Sequence, residues 1–327
     1  MHPVAEPRPR VRGRWIWGVS GLVTIVALGI PGARLITTAG SPVGGPPMSA
    51  VPSRSVTVRQ PVTSLNVESY GAPITVTGAS VRYTRVTEAI MYSPPDAGAP
   101  AVTASVSDGR LTLAAPACAV SNCSVGFTVT VPADVTVTAT SDGGPVTVSG
   151  VARANIGSAG GPVRATGIRG PLAVQTGGGS LILDGIGGLL HADTGGGPLL
   201  APDVAAAVTT VSTDGGDADI GFTGPAGATA AVSTAGGGAQ LQFTAAPRSV
   251  VVSTDGGAAF VTVPGGPYAL TTDSDGGPQL VGIATSPAAH SSIVVTSGGG
   301  PLQIEPAGRA SKVPIPQVPK PPPAPKV

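Results

Sequence analysis

One short pattern constrains this chain more than anything else in it. Ser/Thr-x-Gly-Gly recurs nine times, beginning at Ser141, Ser158, Thr176, Thr194, Thr213, Thr234, Thr254, Ser274 and Ser297. Measured at the second glycine of each pair, from Gly144 to Gly300, the spacings are 17, 18, 18, 19, 21, 20, 20 and 23 residues. A repeat near 20 residues is the mark of a solenoid, whose units cannot bury a face alone and so must stack. The flanks say what kind. Two and four residues before the Ser/Thr the side chain is apolar, as at Val137/Ala139, Leu172/Val174, Ala230/Val232 and Ile293/Val295. After the glycines the alternation resumes, as at Val146/Val148, Leu181/Leu183 and Ala239/Leu241/Phe243. Period two is the mark of half-buried strands.

Each repeat therefore reads as strand, corner, strand. The glycines supply a backbone free to take positive φ at the corner. Alternation puts the Ser/Thr on the inner face, where hydroxyls stacked coil upon coil are expected to form an internal ladder that satisfies buried turn groups. The predicted fold is all-β: a single-chain β-solenoid of about ten coils over residues 137–305 and an earlier degenerate coil. That coil is Gly71-Ala72-Pro73-Ile74-Thr75-Val76, which aligns with Gly143-Gly144-Pro145-Val146-Thr147-Val148. Between it and the nine repeats, residues 79–135 alternate like antiparallel β structure with an Asp108-Gly109 hairpin turn. Residues 54–136 are thus expected to hold the first coil and a β elaboration that caps the open N-terminal edge.

The ends of the chain differ in kind. Residues 1–14 carry Arg8, Arg10, Arg12 and Arg14 ahead of an apolar run from Trp15 to Ile30 that extends to Ile36 if Arg34 reaches the interface. Sixteen residues span roughly 24 Å as a helix, slightly short of a bilayer core. The leading expectation is a transmembrane signal anchor over 15–36, its arginines cytoplasmic and all later residues outside. A cleaved signal peptide is the alternative, and either exports the repeat domain. Residues 37–53 read as a Gly/Pro linker, and 306–327 as a Pro-rich polyproline II tail. Cys118 and Cys123 are the two cysteines, and in an exported chain a local disulfide between them is the leading expectation.

The candidate chemistry is sparse. Acids precede the glycine pair at Asp142, Asp214, Asp255 and Asp275. Asp255 and Asp275 fall in consecutive repeats, so a spacing of ~4.8 Å between coils would bring their carboxylates together. That invites a calcium site or a glycosidase-like pair; Asp214, Asp217 and Asp219 form the densest acidic cluster and are weak calcium candidates as well. Against these stands the ordinary preference of Asp for corners, which needs no ligand. No catalytic, cofactor or metal residue is therefore assigned. His191 falls on the outward register, and Phe222 and Phe243 on the inward one. A net charge of +1 gives no electrostatic case for nucleic acid, and 3% aromatic residues gives little material for sugar platforms.

Basic N-terminus, single apolar segment, the strands Leu111-Thr112-Leu113 and Phe127-Thr128-Val129-Thr130-Val131-Pro132, then tandem Thr-x-Gly-Gly-x-Leu-x-Leu coils together resemble the bacterial "putative adhesin" family of β-strand-repeat proteins of unknown function. The resemblance covers roughly residues 54–305 and implies an envelope-facing β-solenoid, with no catalytic residues to carry over. The Pro-rich tail departs from the simplest family pattern. The reading that follows is a non-enzymatic, membrane-anchored extracytoplasmic solenoid for adhesion or envelope scaffolding, touching a surface ligand or itself. Alternatives are a carbohydrate-active solenoid enzyme and the outer part of a membrane sensor that acts through a partner.

Overall fold

The computed structural model describes residues 49–50, 53–92, 102–115 and 123–308. Every regular element among them is a strand, and the strands form two sheets, one of fourteen and one of twelve. No helix among the described residues is long and apolar enough to cross a membrane, and the expected 15–36 anchor lies outside them. So do Cys118 and the 309–327 tail.

Each coil contributes one strand to each sheet. The strand before the Ser/Thr-x-Gly-Gly corner joins the twelve-stranded sheet and the strand after it joins the fourteen-stranded one, as Thr136–Asp142 and Val146–Ser149 do. Neighbouring coils pair in parallel and in register, so inward residues stack in rows: Val137, Ala154 and Leu172 form one, and Val146, Val163 and Leu181 another. These rows are the core, at 0–5% exposure. It is narrow and built of small aliphatics because the inward positions of two facing strands are all there is to fill it. Phe222 and Phe243 lie in the inward register as expected and stack with their ring centroids 4.2 Å apart.

From residue 136 to 263, chain order and stacking order coincide. At both ends they do not. Ser249–Thr254 pairs with Ser292–Ser297, and Ala269–Asp273 lies on the far side of that strand. Likewise Ala259–Val263 pairs with Leu302–Pro306, and Gln279–Val281 lies beyond. The last coil in sequence is thus inserted between the two that precede it. At the other end, Ser64–Tyr70 sits between Thr136–Asp142 and Arg110–Ala114, while Ile74–Ala79 sits between Val146–Ser149 and Cys123–Pro132.

The cap therefore differs from the expected antiparallel elaboration. Arg110–Ala114 and Cys123–Pro132 run parallel to the first coil as a further coil, because Leu111, Leu113, Phe127, Val129 and Val131 continue its inner rows at 0–1% exposure. The antiparallel part is confined to what lies outside them. It comprises the hairpin strand Thr103–Ser107 on one sheet, and Thr84–Tyr92 with Arg54–Val58 and Ser49–Ala50 on the other.

Candidate functional site

The corner is the natural place to look first, and its hydroxyls are occupied with structure. Thr194, Thr254, Ser274 and Ser297 each donate to the carbonyl of the second glycine in their own corner at 2.6 Å, and Thr213 and Thr234 do the same. The expected ladder is thus mostly a stack of local closures; Ser69 donates both to its own corner and to Val125 of the adjacent coil, while Thr176 donates to Gly161 of the adjacent coil and accepts its own corner's Gly179 N–H. Locality follows from chain geometry, since three residues on the turn has already brought the glycine carbonyl back over the Ser/Thr. Ser141 is the exception among the corners, buried with no hydrogen-bond partner.

The two glycines have different reasons to be glycine. Gly256 takes φ 103°, a left-handed conformation that a side chain rarely adopts. Gly257 does not, but a Cβ there would lie 1.9 Å from the Gly237 carbonyl oxygen of the adjacent coil. The first glycine turns the chain and the second lets corner backbones touch.

The acids weighed from the sequence separate. Between Asp255 and Asp275 lies Gly298, because the inserted 292–306 coil occupies the register between theirs. They stand two coil spacings apart, roughly 9.6 Å, and not one. Asp275 takes φ 47° and its N–H bonds the Asp273 carboxylate at 3.1 Å, which is corner chemistry. Asp217 Oδ1 accepts the Gly238 N–H at 2.7 Å, tying one coil to the next. Asp219 points outward from the fourteen-stranded sheet, and partial burial of its carboxyl raises the pKa above that of a free aspartate. Among the described residues no group of three or more His, Cys, Asp or Glu side chains could hold a metal ion. His191 is exposed, as its register requires. Cys123 opens its strand, and its expected partner Cys118 lies outside the described residues.

What the structure brings together lies elsewhere, on the outer face of the twelve-stranded sheet along its corner edge. There an open groove of about 650 Å³ runs from Glu68 and Tyr70 past Asp142 and Gln175 to Asp193 and Asp214. Its cause is a run of missing side chains. In register between Asp142 and Asp214 the successive coils carry Ala159, Gly177 and Gly195, and between Thr140 and Gln175 comes Gly157. The floor drops to backbone while Tyr70 and Asp142 wall one end and Asp193 and Asp214 the other. None of the lining residues is basic. Tyr70 lines the groove and is 39% exposed. Asp142 and Asp214 stood out in the sequence beside the glycine pairs; Glu68, Tyr70, Gln175 and Asp193 did not. The signal that would have found them is the set of side-chain-free outward positions in consecutive repeats.

Fold and groove define an all-β, solenoid-like stack with two parallel-rich sheets and an acid-walled trough on one face. No protein-family model and no curated relative matches the chain. Solved structures with some likeness include one described as a putative adhesin from Bacteroides fragilis, at 14% identity and TM-score 0.39, covering 79% of this chain and 97% of that one. Another is a putative cell adhesion protein from Clostridium sporogenes, at 11% identity and TM-score 0.25, covering 78% of this chain and all of that one. A third, a putative adhesin from Parabacteroides distasonis, has 12% identity and TM-score 0.30 over 80% of this chain and 98% of its own.

Proposed function

We propose that this chain is a non-enzymatic adhesion module that binds a hydroxyl-rich surface polymer, a glycan, in the groove between Tyr70 and Asp214. The observation that carries the reading is the groove itself, a trough floored by Gly157, Ala159, Gly177 and Gly195 and ringed by groups that suit sugars. Carboxylates and the Gln175 amide accept hydrogen bonds from hydroxyls, and an exposed phenol ring packs against the apolar face of a pyranose. A trough that crosses several coils suits an extended chain better than a small solute. The display belongs to the same proposal: a helix over 15–36 retained in the membrane, residues 1–14 inside, the solenoid outside, and a Cys118–Cys123 disulfide suited to that compartment.

The test is glycan-array and whole-cell binding by the full chain in detergent, with and without calcium. Saturable binding that Tyr70→Ala weakens by about tenfold, the order of one lost stacking contact, and that calcium leaves unchanged is the expected result. Folded protein that binds no glycan or cell surface would remove the reading. Protease added to intact cells should degrade the solenoid and spare residues 1–14; protection of the whole chain would overturn the topology.

A further inference from the structure

Both ends of the stack are crossed in the same manner. The chain enters the repeat through the 64–79 coil and leaves it through the 292–306 coil, and neither is terminal in space. Each has a bonded coil on both sides. Leu302–Pro306 is paired with Ala259–Val263 on one side and Gln279–Val281 on the other, and the bonding continues past the strand where Ala307 N–H meets Val263 O at 2.7 Å. Ser64–Tyr70 is held between Arg110–Ala114 and Thr136–Asp142 in the same way.

The outermost C-terminal coil is built as a lid. Its inward positions hold Leu270, Thr272, Gln279 and Val281, where the inserted coil has Ile293, Val295, Leu302 and Ile304 at 0–1% exposure. Gln279 bridges Thr272 at 3.0 Å and Ser274 at 2.8 Å, which closes the end of the apolar core with a satisfied polar cluster.

We infer that the crossed ends are a load-bearing clamp. In an uncrossed solenoid the last coil is bonded on one side only, so tension on the chain peels it away one ladder at a time. Here tension that arrives after residue 308 acts on a strand that must leave two ladders at once, and the lid must yield with it. Tension that arrives before residue 64 meets the same arrangement once Ser49–Ala50 and Arg54–Val58 have parted from Thr84–Tyr92. The use of such a clamp rests on the adhesion reading, since an adhesin carries load between its tether and its ligand; the clamp itself follows from topology and is tested with no ligand present.

The experiment is force spectroscopy on the full chain, held by handles at its two ends, beside a Thr271→Pro variant. Ala269 N–H donates to Ser291 O, so the next donor toward Ser292–Ser297 on this exposed edge strand is Thr271, and proline deletes it without entering the core. The parent chain should release 269–308 in one event, and the variant, whose 269–273 ladder has lost a bond, at a lower force. Equal forces, or stepwise peeling of the parent at the variant's force, would overturn the inference. Hydrogen exchange on the unaltered chain gives a second reading: amides in 292–297 and 302–306 should exchange about tenfold more slowly than those in 269–281. Equal or faster exchange there would overturn the clamp even if the variant failed to fold.

Discussion

Every coil reverses direction twice, and the two reversals follow different rules. From the Ser/Thr to the first inward residue of the next strand is five residues in every coil that has the Ser/Thr corner: Ser69 to Ile74, Ser141 to Val146, Thr213 to Ala218, Ser297 to Leu302. From that inward residue around the opposite side to the next Ser/Thr is 12 residues after Val146, 16 after Ala218 and 18 after Gln279. All of the variation in repeat length therefore lies in the opposite turn. The fixed corner is the one where the second glycine of all nine pairs meets the backbone of the adjacent coil and a side-chain hydroxyl closes the turn. The opposite turn touches its neighbour in some coils, as where Gly188 packs on Gly170, and not in others, as at Gly265, and there the length varies.

The most damaging way to break this contrast is to put a methyl group where the corners touch. In Gly257→Ala the new Cβ meets the Gly237 carbonyl oxygen at 1.9 Å and carbon at 2.4 Å, and backbone cannot rotate aside as a side chain does. We expect a loss of about 3 kcal/mol or more, seen as a fall in the urea midpoint of the full chain. An unchanged midpoint would mean that the coils are spaced more loosely than the register implies.

Next in size is the hydroxyl. Thr254→Val keeps the shape but removes the donor to the half-buried Gly257 carbonyl, which should cost about 1 kcal/mol. Ser141→Ala sharpens the comparison, because that hydroxyl has no partner to lose; its cost should be near zero in the same titration. Equal losses at the two sites would sink the account of the corner as a hydroxyl-closed turn.

The corner was also the part most legible in the sequence. Period two named the inward rows, and the repeat named the stacking, since both are written in every copy. The order of the final coils was not, because the 269–281 coil carries the same Ser-x-Gly-Gly as its neighbours. Its mark was polarity: Thr272 and Gln279 together stand where other coils place aliphatic residues, and the exposed face of an end coil tolerates that. That one misordering put Asp255 and Asp275 on adjacent coils when Gly298 divides them. The groove escaped for the opposite reason, since it is made by what Gly157, Gly177 and Gly195 lack, and a motif search looks for groups that are present.

Polarity in the wrong row also yields a prediction within the stack. Thr209 occupies an inward position in register with Leu190 and Ala230, and its hydroxyl is buried with no partner. Thr209→Val keeps the volume and deletes an unpaired polar group, so it should gain about 1 kcal/mol. A loss would show that the hydroxyl has an acceptor after all, such as a buried water, and that the row is less dry than its neighbours suggest.

The smallest effect belongs to the variable turn. Gly265 lies between Ala259–Val263 and Ala269–Asp273, on the side where length is free. A Cβ there would have no heavy atom within 4 Å, and its φ is outside the left-handed range. Its freedom is therefore spent only in the unfolded chain, and Gly265→Ala should raise stability by about 0.5 kcal/mol. The same substitution at Gly257 and Gly265 thus carries opposite signs within eight residues. If both were destabilising to a similar degree, the turn at Gly265 would be held by contact as the corner at Gly257 is.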